Sequence, residues 1–225
     1  MPSTATRHNL LDLRVAALMF SHEIYSDGAA IPDHWGNTLD TQLNEGVRQM
    51  WSDSKGIQSD GSFQTNPGVP NYPLSAEFLY MEKVACNGRP LVPANQKDIQ
   101  LGATNTSTPQ AYVIRKGGPP ASGGLIPYLW LAPYPPDAIY TISYFYRRSP
   151  REMVAETDCP ELPLQWQLAP AYWAAFMLGI ADANPAGNTV AQVFAAMKRE
   201  MAEWIRNNSL DQHPVTGTHG SSWDY

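Results

Sequence analysis

The chain has 225 residues, which is enough for a hydrophobic core in one large or two small domains. It carries 15 Lys and Arg against 21 Asp and Glu, a formal net charge of −6, without the cationic stripe of a protein that grips phosphates. These numbers disfavour a tight DNA binder. Cys86 and Cys159 stand in unrelated contexts, so neither a disulfide framework nor a zinc module is indicated.

Membrane insertion is not expected from the sequence. The most apolar stretch, residues 169–183, is interrupted by Pro170 and Gly179 and is shorter than the roughly 18 residues that a spanning helix needs. The N-terminal stretch places Arg14 inside its apolar run and offers no cleavage site of the signal-peptide type. We therefore expect no membrane partner and a protein that is made and used in the cytoplasm.

Two amphipathic helices are predicted near the N-terminus. The first runs roughly from Asn9 to Ile24, and the second begins near Asn37, whose side chain is suited to cap the first turn. Each has an apolar stripe at helical spacing, which a helical core would bury. The stripe residues are Leu11, Val15, Leu18, Leu39, Leu43 and Val47.

The middle of the chain, residues 57–150, is rich in glycine and proline and predicts strands and loops. The predicted strands cover residues 78–86, 89–92, 112–115, 125–131 and 139–147. Asn87-Gly88 favours a tight type I′ turn between the first two of these. In the last strand, tyrosines alternate with Phe145 and its polar neighbours, so we expect both faces to be half covered. A short helix is predicted near residues 95–101, and residues 56–76 read as a long loop.

Helical periodicity returns after Pro150. A helix is expected to start at Pro163 and to kink at Pro170, and a second helix follows the ANPAGN turn. Their apolar faces predict a hairpin over residues 151–207. The expected core residues here are Trp173, Phe176, Val190, Phe194, Met197, Met201 and Trp204. Residues 208–225 have no periodicity and predict an extended tail.

The predicted fold class is α+β: N- and C-terminal helices form a helical bundle with an inserted antiparallel β-rich domain and an extended C-terminal tail. The expected boundaries are 1–56 for the N-terminal helices, 57–150 for the β-rich insertion, 151–207 for the helical hairpin and 208–225 for the tail.

Motifs of catalysis are missing from the sequence. It has no GxSxG, no GxxxxGK[ST] and no GxGxxG between a strand and a helix. The Gly-rich run at residues 117–124 contains two prolines, which lack the N–H groups of a phosphate cradle. The five histidines are scattered, without metal-ligand spacing. We therefore predict a protein that is not an enzyme and that needs no cofactor or metal.

Four phrases resemble the head-to-tail adaptor proteins of tailed phages. DTQLNEGVRQMWSD at residues 40–53 looks like the second helix of that family, with its Asn-centred phrase. VACNGRPLVPANQKDIQL at 84–101 resembles the family's strand, turn and short helix, and LWLAPYPPDAIYTISYFYRRSP at 129–150 its strand, Pro-Asp turn and aromatic strand. LPLQWQLAPAYWAAFMLGIA at 162–181 is similar to the helix that opens the C-terminal hairpin.

The resemblance implies a structural role in the virion neck, at the head-tail junction. Such proteins form a homo-oligomeric ring, commonly of twelve copies, beneath the portal protein. The ring extends the DNA channel and offers a docking platform to the next neck or tail protein, while packaged DNA passes through the lumen without specific binding.

The C-terminal tail is expected to dock on the portal. Family members are thought to reach into the portal with this end, and large aromatic residues on a polar tail suit a segment that orders on binding. The tail residues assigned to docking are His213, Pro214, Val215, His219, Trp223 and Tyr225.

Three other functions remain open from the sequence. The aromatic strands are compatible with a carbohydrate- or receptor-binding module of a tail, although such modules are mostly all-β. A stopper or tail terminator would be another neck ring, with a shorter and mostly β chain. An enzyme with dispersed catalytic residues is the third alternative.

Overall fold

The computed structural model of the chain describes residues 7–21, 36–69, 71–95, 108–116, 126–132, 136–181 and 186–211. These ranges contain α-helices and sheets that are mostly antiparallel, which confirms the predicted α+β class. The chain divides into two compact units. Residues 1–54 and 151–225 form the helical unit, and residues 55–150 form the β unit.

Four α-helices occur in the described part of the helical unit. They are α1 (Leu10–Phe20), α2 (Gly36–Trp51), α3 (Ala169–Ala181) and α4 (Ala186–Asp211). A reciprocal cap starts α1: the Asn9 side chain accepts the backbone N–H of Asp12 at 2.9 Å, and the Asp12 carboxylate accepts that of Asn9 at 3.0 Å. Both N–H groups lack a partner inside the helix, so this cap fixes where α1 begins.

The core of the helical unit is mainly aliphatic and draws on all four helices. Its buried helical side chains include Leu10, Leu13, Ala17, Leu18, Leu39, Leu43, Val47, Met50, Leu178, Phe194 and Met201. α2 and α3 approach each other closely at Gly46, where a Cβ atom would lie 2.9 Å from the Cα of Pro170. Glycine at this position therefore allows the two backbones to pack together.

The predicted core residues of the helices differ in burial. Leu18, Leu39, Leu43, Val47, Phe194 and Met201 are buried, and Val15, Trp173, Phe176, Val190 and Met197 are partly buried.

The prediction that Leu11 and Trp204 belong to the core is wrong, since these residues are 40% and 43% exposed. Leu10 and Leu13 set the buried face of α1, and Leu11 lies about 100° around the helix from Leu10. Trp204 packs edge-on against Trp166, with ring centroids 5.5 Å apart, and keeps much of its surface in solvent.

Three helix boundaries differ from the prediction. α3 begins at Ala169, so the predicted start at Pro163 is wrong: only a 3₁₀ turn, Leu164–Trp166, follows Pro163. Pro170 is therefore the second residue of α3 and lies in its first turn, where the missing N–H is not needed, so no kink is required. Asn37 lies inside α2, which already includes Gly36, so its predicted capping role is wrong. α4 continues to Asp211, so residues 208–211 are helical and not part of an extended tail.

Eight strands occur in the described part of the β unit. They are β1 (Ile57–Gln64), β2 (Asn71–Pro73), β3 (Phe78–Cys86), β4 (Arg89–Pro90), β5 (Val92–Pro93), β6 (Ala111–Lys116), β7 (Pro127–Ala132) and β8 (Thr141–Arg148). The first sheet has the strand order β1-β8-β3-β4, and the second has the order β2-β7-β6-β5. Every pair is antiparallel except β5 with β6.

Aromatic side chains fill much of the core of the β unit, to which strands of both sheets contribute. Its buried members are Tyr72, Leu74, Phe78, Val84, Cys86, Leu91, Tyr112, Leu129, Leu131 and Ile142. The ring of Phe63 stacks on that of Tyr72 with centroids 4.4 Å apart. Gly61 leaves room for the ring of Tyr144 on the neighbouring strand, since a Cβ atom there would lie 2.6 Å from that ring.

The predicted turn between β3 and β4 is confirmed. Asn87 and Gly88 have φ angles of 48° and 79°, and positive φ at both central residues is the mark of a type I′ turn. β3 covers the range predicted for it, Phe78–Cys86.

The prediction of a long loop over residues 56–76 is wrong, because β1 and β2 lie within it. β1 has few β-branched or aromatic residues, so its sequence gives a weak strand signal. It forms a strand because each residue from Ile57 to Gln64 pairs in continuous register with β8, and this partner is distant in sequence.

Some predictions lie outside the described residues. These are most of the short helix near 95–101, the Gly-rich run at 117–124 and the tail residues from His213 to Tyr225.

Candidate interaction surfaces

A segment without regular helix or strand precedes α3 and binds α1 and α2 through hydrogen bonds. We call residues 151–163 the connecting segment. The backbone N–H of Leu10, in the first turn of α1, donates to the carbonyl of Asp158 at 2.8 Å. The indole N–H of Trp51, at the end of α2, donates to the carbonyl of Glu161 at 2.8 Å. The segment therefore provides partners at an end of each helix.

A tight turn shapes the connecting segment. The carboxylate of Asp158 accepts the backbone N–H groups of Val154 and Ala155, both at 2.8 Å. These two bonds favour the ionised form and lower the pKa of Asp158 below its ordinary value. The turn exposes Val154, whose side chain is 80% accessible.

Asn44 joins α2 to the connecting segment. Its Nδ2 donates to the carbonyl of Met153 at 3.0 Å, and its Oδ1 accepts the backbone N–H of Met153 at 2.8 Å. The Met153 side chain is buried in the helical core. Asn44 thus uses both halves of its amide to hold a segment that has no helical or strand partner of its own.

Two arginines add ion pairs to the same contact. Arg14 forms a bidentate pair with Asp40, with both N–O distances 2.6 Å, and reaches Glu156 at 3.3 Å. The hydrogen bonding that Arg14 donates to the Asp40 carboxylate is the main cause that raises the pKa of Arg14. Arg48 pairs with Glu45 at 3.1 Å and with Glu152.

These groups line a small open groove formed by Asp40, Thr41, Asn44, Arg48 and Glu152. Its charged side chains are already paired, Asp40 with Arg14 and Arg48 with Glu152. The groove therefore offers no unpaired charge to a ligand.

An exposed surface covers the outer face of the first sheet. Phe145 lies on β8, between β1 and β3, and its side chain is 48% exposed. Its cross-strand partners are Asp60 on β1 and Lys83 on β3, both exposed. Tyr80 lies on the same face and is 39% exposed. We call these four residues the sheet surface.

Polar contacts flank the sheet surface. Arg147 Nε donates to Glu82 at 2.6 Å, and Gln58 donates to the other carboxylate oxygen of Glu82 at 3.1 Å. Within the described residues, neither Asp60 nor Lys83 has an ion-pair partner. Phe145 and Tyr80 are thus exposed aromatic side chains with polar groups around them, and aromatic residues are favoured at protein interfaces.

A second exposed surface lies on α4. Val193 and Trp204 are 37% and 43% exposed, and Glu200 and Glu203 are exposed between them. These four residues share one side of the helix, since 3.6 residues make a turn. Over the described ranges, the two carboxylates make no ion pair. We call these four residues the helix surface.

The described residues offer little for chemistry. They contain no group of three or more His, Cys, Asp and Glu side chains that could hold a metal ion. No helix among them is both long and apolar enough to cross a membrane. Cys86 is buried, and this burial raises the pKa of its thiol, so the less reactive protonated form is favoured.

The sequence pointed to some of these residues and missed others. The tail residues assigned to portal docking lie outside the described part of the chain. The alternation in β8 indicated that Phe145 lies opposite the tyrosines, whereas the partner of Asn44 had no sequence signal because Met153 is 109 positions away. Trp204 was assigned to the core, and its exposure reveals the helix surface.

Comparison with protein-family models gives a match to the model described as SU10 adaptor protein, over residues 9–217. No curated protein sequence matches the chain.

Proposed function

The chain belongs to the SU10 adaptor protein family, a family of phage head-to-tail adaptors, and from this premise we propose that its copies form a ring beneath the portal. The ring extends the DNA channel and gives the next neck or tail protein a docking platform. Membership of the family makes the protein a structural component of the virion neck. Twelve copies per ring, contact with the portal and passage of DNA through the lumen are the further parts of the proposal.

The observation that carries the proposal is the extent of the family match. Residues 9–217 include the described helices and strands of both units, so the likeness is not confined to one motif. The exposed aromatic residues Phe145 and Trp204 add support, because aromatic side chains are favoured at protein interfaces.

The proposal includes a domain organisation in which two separate parts of the chain build one helical bundle. The N- and C-terminal helices act as one bundle into which the β-rich residues 57–150 are inserted. The core shared by the four described helices and the separate grouping of residues 55–150 support this organisation. The lumen of the ring is neutral to acidic, in keeping with the net charge of −6.

The C-terminal tail attaches the ring to the portal in this proposal. Trp223 and Tyr225 are large aromatics in an otherwise polar sequence, and such residues anchor segments that order on binding. Since α4 continues to Asp211, the segment available for docking begins after that residue.

The test of the ring is size-exclusion chromatography with light scattering, on the protein alone and on a mixture with its cognate portal. We expect the mixture to give a complex whose mass corresponds to a ring of copies on each portal. A chain that stays monomeric in the presence of portal contradicts the proposal.

Two further measurements address the tail and the lumen. Deletion of residues 212–225 is expected to leave the unfolding temperature nearly unchanged while weakening portal attachment, and equal attachment of the shortened chain refutes tail docking.

A duplex-binding titration is expected to show no tight, salt-sensitive binding, because a cationic lining would hold a passing duplex through its phosphates.

A further inference from the structure

The first sheet ends on one side at β1, and no further strand lies beside β1 within the described residues. We propose that β1 is a docking strand: an extended segment of the next neck or tail protein adds to its outer edge as a fifth strand of this sheet. The inference rests on the proposed function and names the part of the chain that serves as the docking platform.

The edge strands of the two sheets differ in how well they are protected against such pairing. β2, β4 and β5 are two or three residues long, and each ends in a proline, which cannot donate to a neighbouring strand. Short strands and prolines are common means of blocking pairing at a sheet edge. β1 has eight residues, no proline and an unbroken register with β8. Among the described edge strands, β1 is therefore the one that remains open to another strand.

Hydrogen bonding at the end of β1 indicates which of its backbone groups point away from β8. The N–H of Thr65 donates to the carbonyl of Tyr140 at 2.8 Å, and this pair continues the register of β1 with β8. In an antiparallel pair, residues bonded to the partner strand alternate with residues whose N–H and C=O point outward. Counting back from Thr65, the outward residues of β1 are Gln58, Asp60, Ser62 and Gln64.

The other side of β8 agrees with this alternation. Thr141 lies opposite Gln64, and its carbonyl accepts the N–H of Asn87, next to β3, at 2.8 Å. The four outward residues of β1 have exposed side chains, and within the described residues their backbone groups have no hydrogen-bond partner. Alternating donors and acceptors at strand spacing are complemented by an extended polypeptide, which is how peptides add to exposed sheet edges.

The segment that pairs with β1 belongs to a different protein. In a second copy of this chain, β2, β4 and β5 are too short to pair along eight residues. Pairing of β1 with β1 uses the same edge on both copies and stops at a dimer, whereas a closed ring needs two different surfaces on each copy. Since the proposed function assigns the portal to the C-terminal tail, the next neck or tail protein is the partner for this edge.

The two faces of β1 specify the side chains of the added strand. Asp60 is exposed and has no ion-pair partner in the described part of the chain. Opposite charges on neighbouring strands stabilise a sheet, so the added strand carries Lys or Arg beside Asp60. On the other face, Ile57 and Phe63 are half-buried, and apolar side chains of the added strand extend the packing there.

The backbone contact is tested with a pair of variants at one position. Ser62→Pro removes an outward N–H and leaves the hydrogen bonds between β1 and β8 in place. Ser62→Ala is the matched control, because it removes the same hydroxyl and keeps the N–H. Rings assembled on the portal are titrated with the purified next neck or tail protein. We expect Ser62→Pro to weaken this binding by at least about tenfold and Ser62→Ala to stay within about twofold of the wild type.

The charge contact is tested with Asp60→Lys in the same titration. A cation on the added strand then faces another cation, so binding should weaken by about threefold or more. Equal binding of Asp60→Lys and the wild type contradicts the cation assigned to the partner.

Amide hydrogen exchange resolved to single residues tests the edge in the wild type. In the free protein, the N–H groups of Asp60 and Ser62 should exchange at least about tenfold faster than those of Ser59 and Gly61, which are bonded to β8. Binding of the next neck or tail protein should slow the outward groups by a similar factor. Slow exchange of the outward groups in the free protein refutes the docking strand, because the edge is then already covered. This measurement decides the question even where Ser62→Pro does not fold.

The outcomes separate the docking strand from the ring. If rings form on the portal and Ser62→Pro binds the next protein as tightly as the wild type, the docking strand is refuted and the proposed function stands. A folded Ser62→Pro chain that no longer forms rings refutes the assigned partner, since a second copy then occupies the edge. A wild-type chain that forms no ring on the portal overturns the proposed function and, with it, the docking strand.

Discussion

The helical unit and the β unit differ in the contacts that join distant parts of the chain: side-chain contacts in the first and backbone hydrogen bonds in the second. In the helical unit, side chains make many of these contacts: Asn44 binds Met153, Trp51 binds Glu161 and Arg14 binds Asp40. In the β unit, the backbone makes many of them, as in the continuous pairing of β1 with β8. A substitution removes a side chain and leaves the backbone in place. Point mutations should therefore damage the helical unit more than the β unit.

The largest effect is expected from the core of the helical unit. Phe194 is buried and its ring lies 5.2 Å from that of Trp173, so Phe194→Ala leaves a cavity and lowers the free energy of unfolding by about 2–4 kcal/mol. Urea denaturation measures the change. Val193→Ala is the matched control, since Val193 is 37% exposed, and its effect should be well under half as large. Equal effects would mean that the buried face of α4 is wrongly assigned.

The next effect tests the side-chain contacts directly. Asn44→Ala leaves the backbone N–H and carbonyl of Met153 without their amide partner and is expected to lower the free energy of unfolding by about 1–3 kcal/mol. Gln42→Ala, two residues earlier in α2, removes a similar amide that lies outside this contact. A loss as large for Gln42→Ala as for Asn44→Ala contradicts the role assigned to Asn44.

A smaller effect is expected for a backbone feature of the β unit. Gly88 has a φ angle of 79° and open space around its Cα, so Gly88→Ala adds backbone strain without a clash and lowers stability by about 1 kcal/mol. Arg89→Ala, at an exposed position directly after the turn, should change stability by less than about 0.5 kcal/mol. The two variants are compared by thermal unfolding, and equal destabilisation would argue against the type I′ turn.

The smallest effect concerns pH. The folded-state pKa of Asp158 lies below its ordinary value of 3.8. The ionised carboxylate therefore adds to the free energy of unfolding above pH 3.8, and this stabilisation is lost as the pH falls through the folded-state pKa. The acid limb of a stability profile below about pH 4 should therefore be shallower in Asp158→Asn than in the wild type. Superimposable profiles would show that the turn at Val154 does not depend on the carboxylate.

The sequence predicted the elements whose signals are local. The Asn87-Gly88 turn and β3 follow from a dipeptide and a run of strand-forming residues, and the helical stripes follow from spacing. It failed where structure depends on a distant partner, as for β1, which is a strand because β8 lies beside it. It also failed to identify the two exposed surfaces. The periodic pattern places Trp204 near the apolar side of α4, but it does not show whether another helix covers Trp204.

The discontinuity of the helical unit has a consequence for synthesis. α1 and α2 emerge from the ribosome before the β unit, and α3, which helps to complete their core, begins about 120 residues after the end of α2. At roughly 5–20 residues per second, Leu39, Leu43 and Val47 therefore remain for about 6–24 s without the side chains of α3 and α4. The β unit emerges complete within that interval and is free to fold first. The nascent chain thus passes through a stage in which the β unit is folded while the apolar faces of α1 and α2 are still exposed. This is the stage at which chaperones would have most to protect.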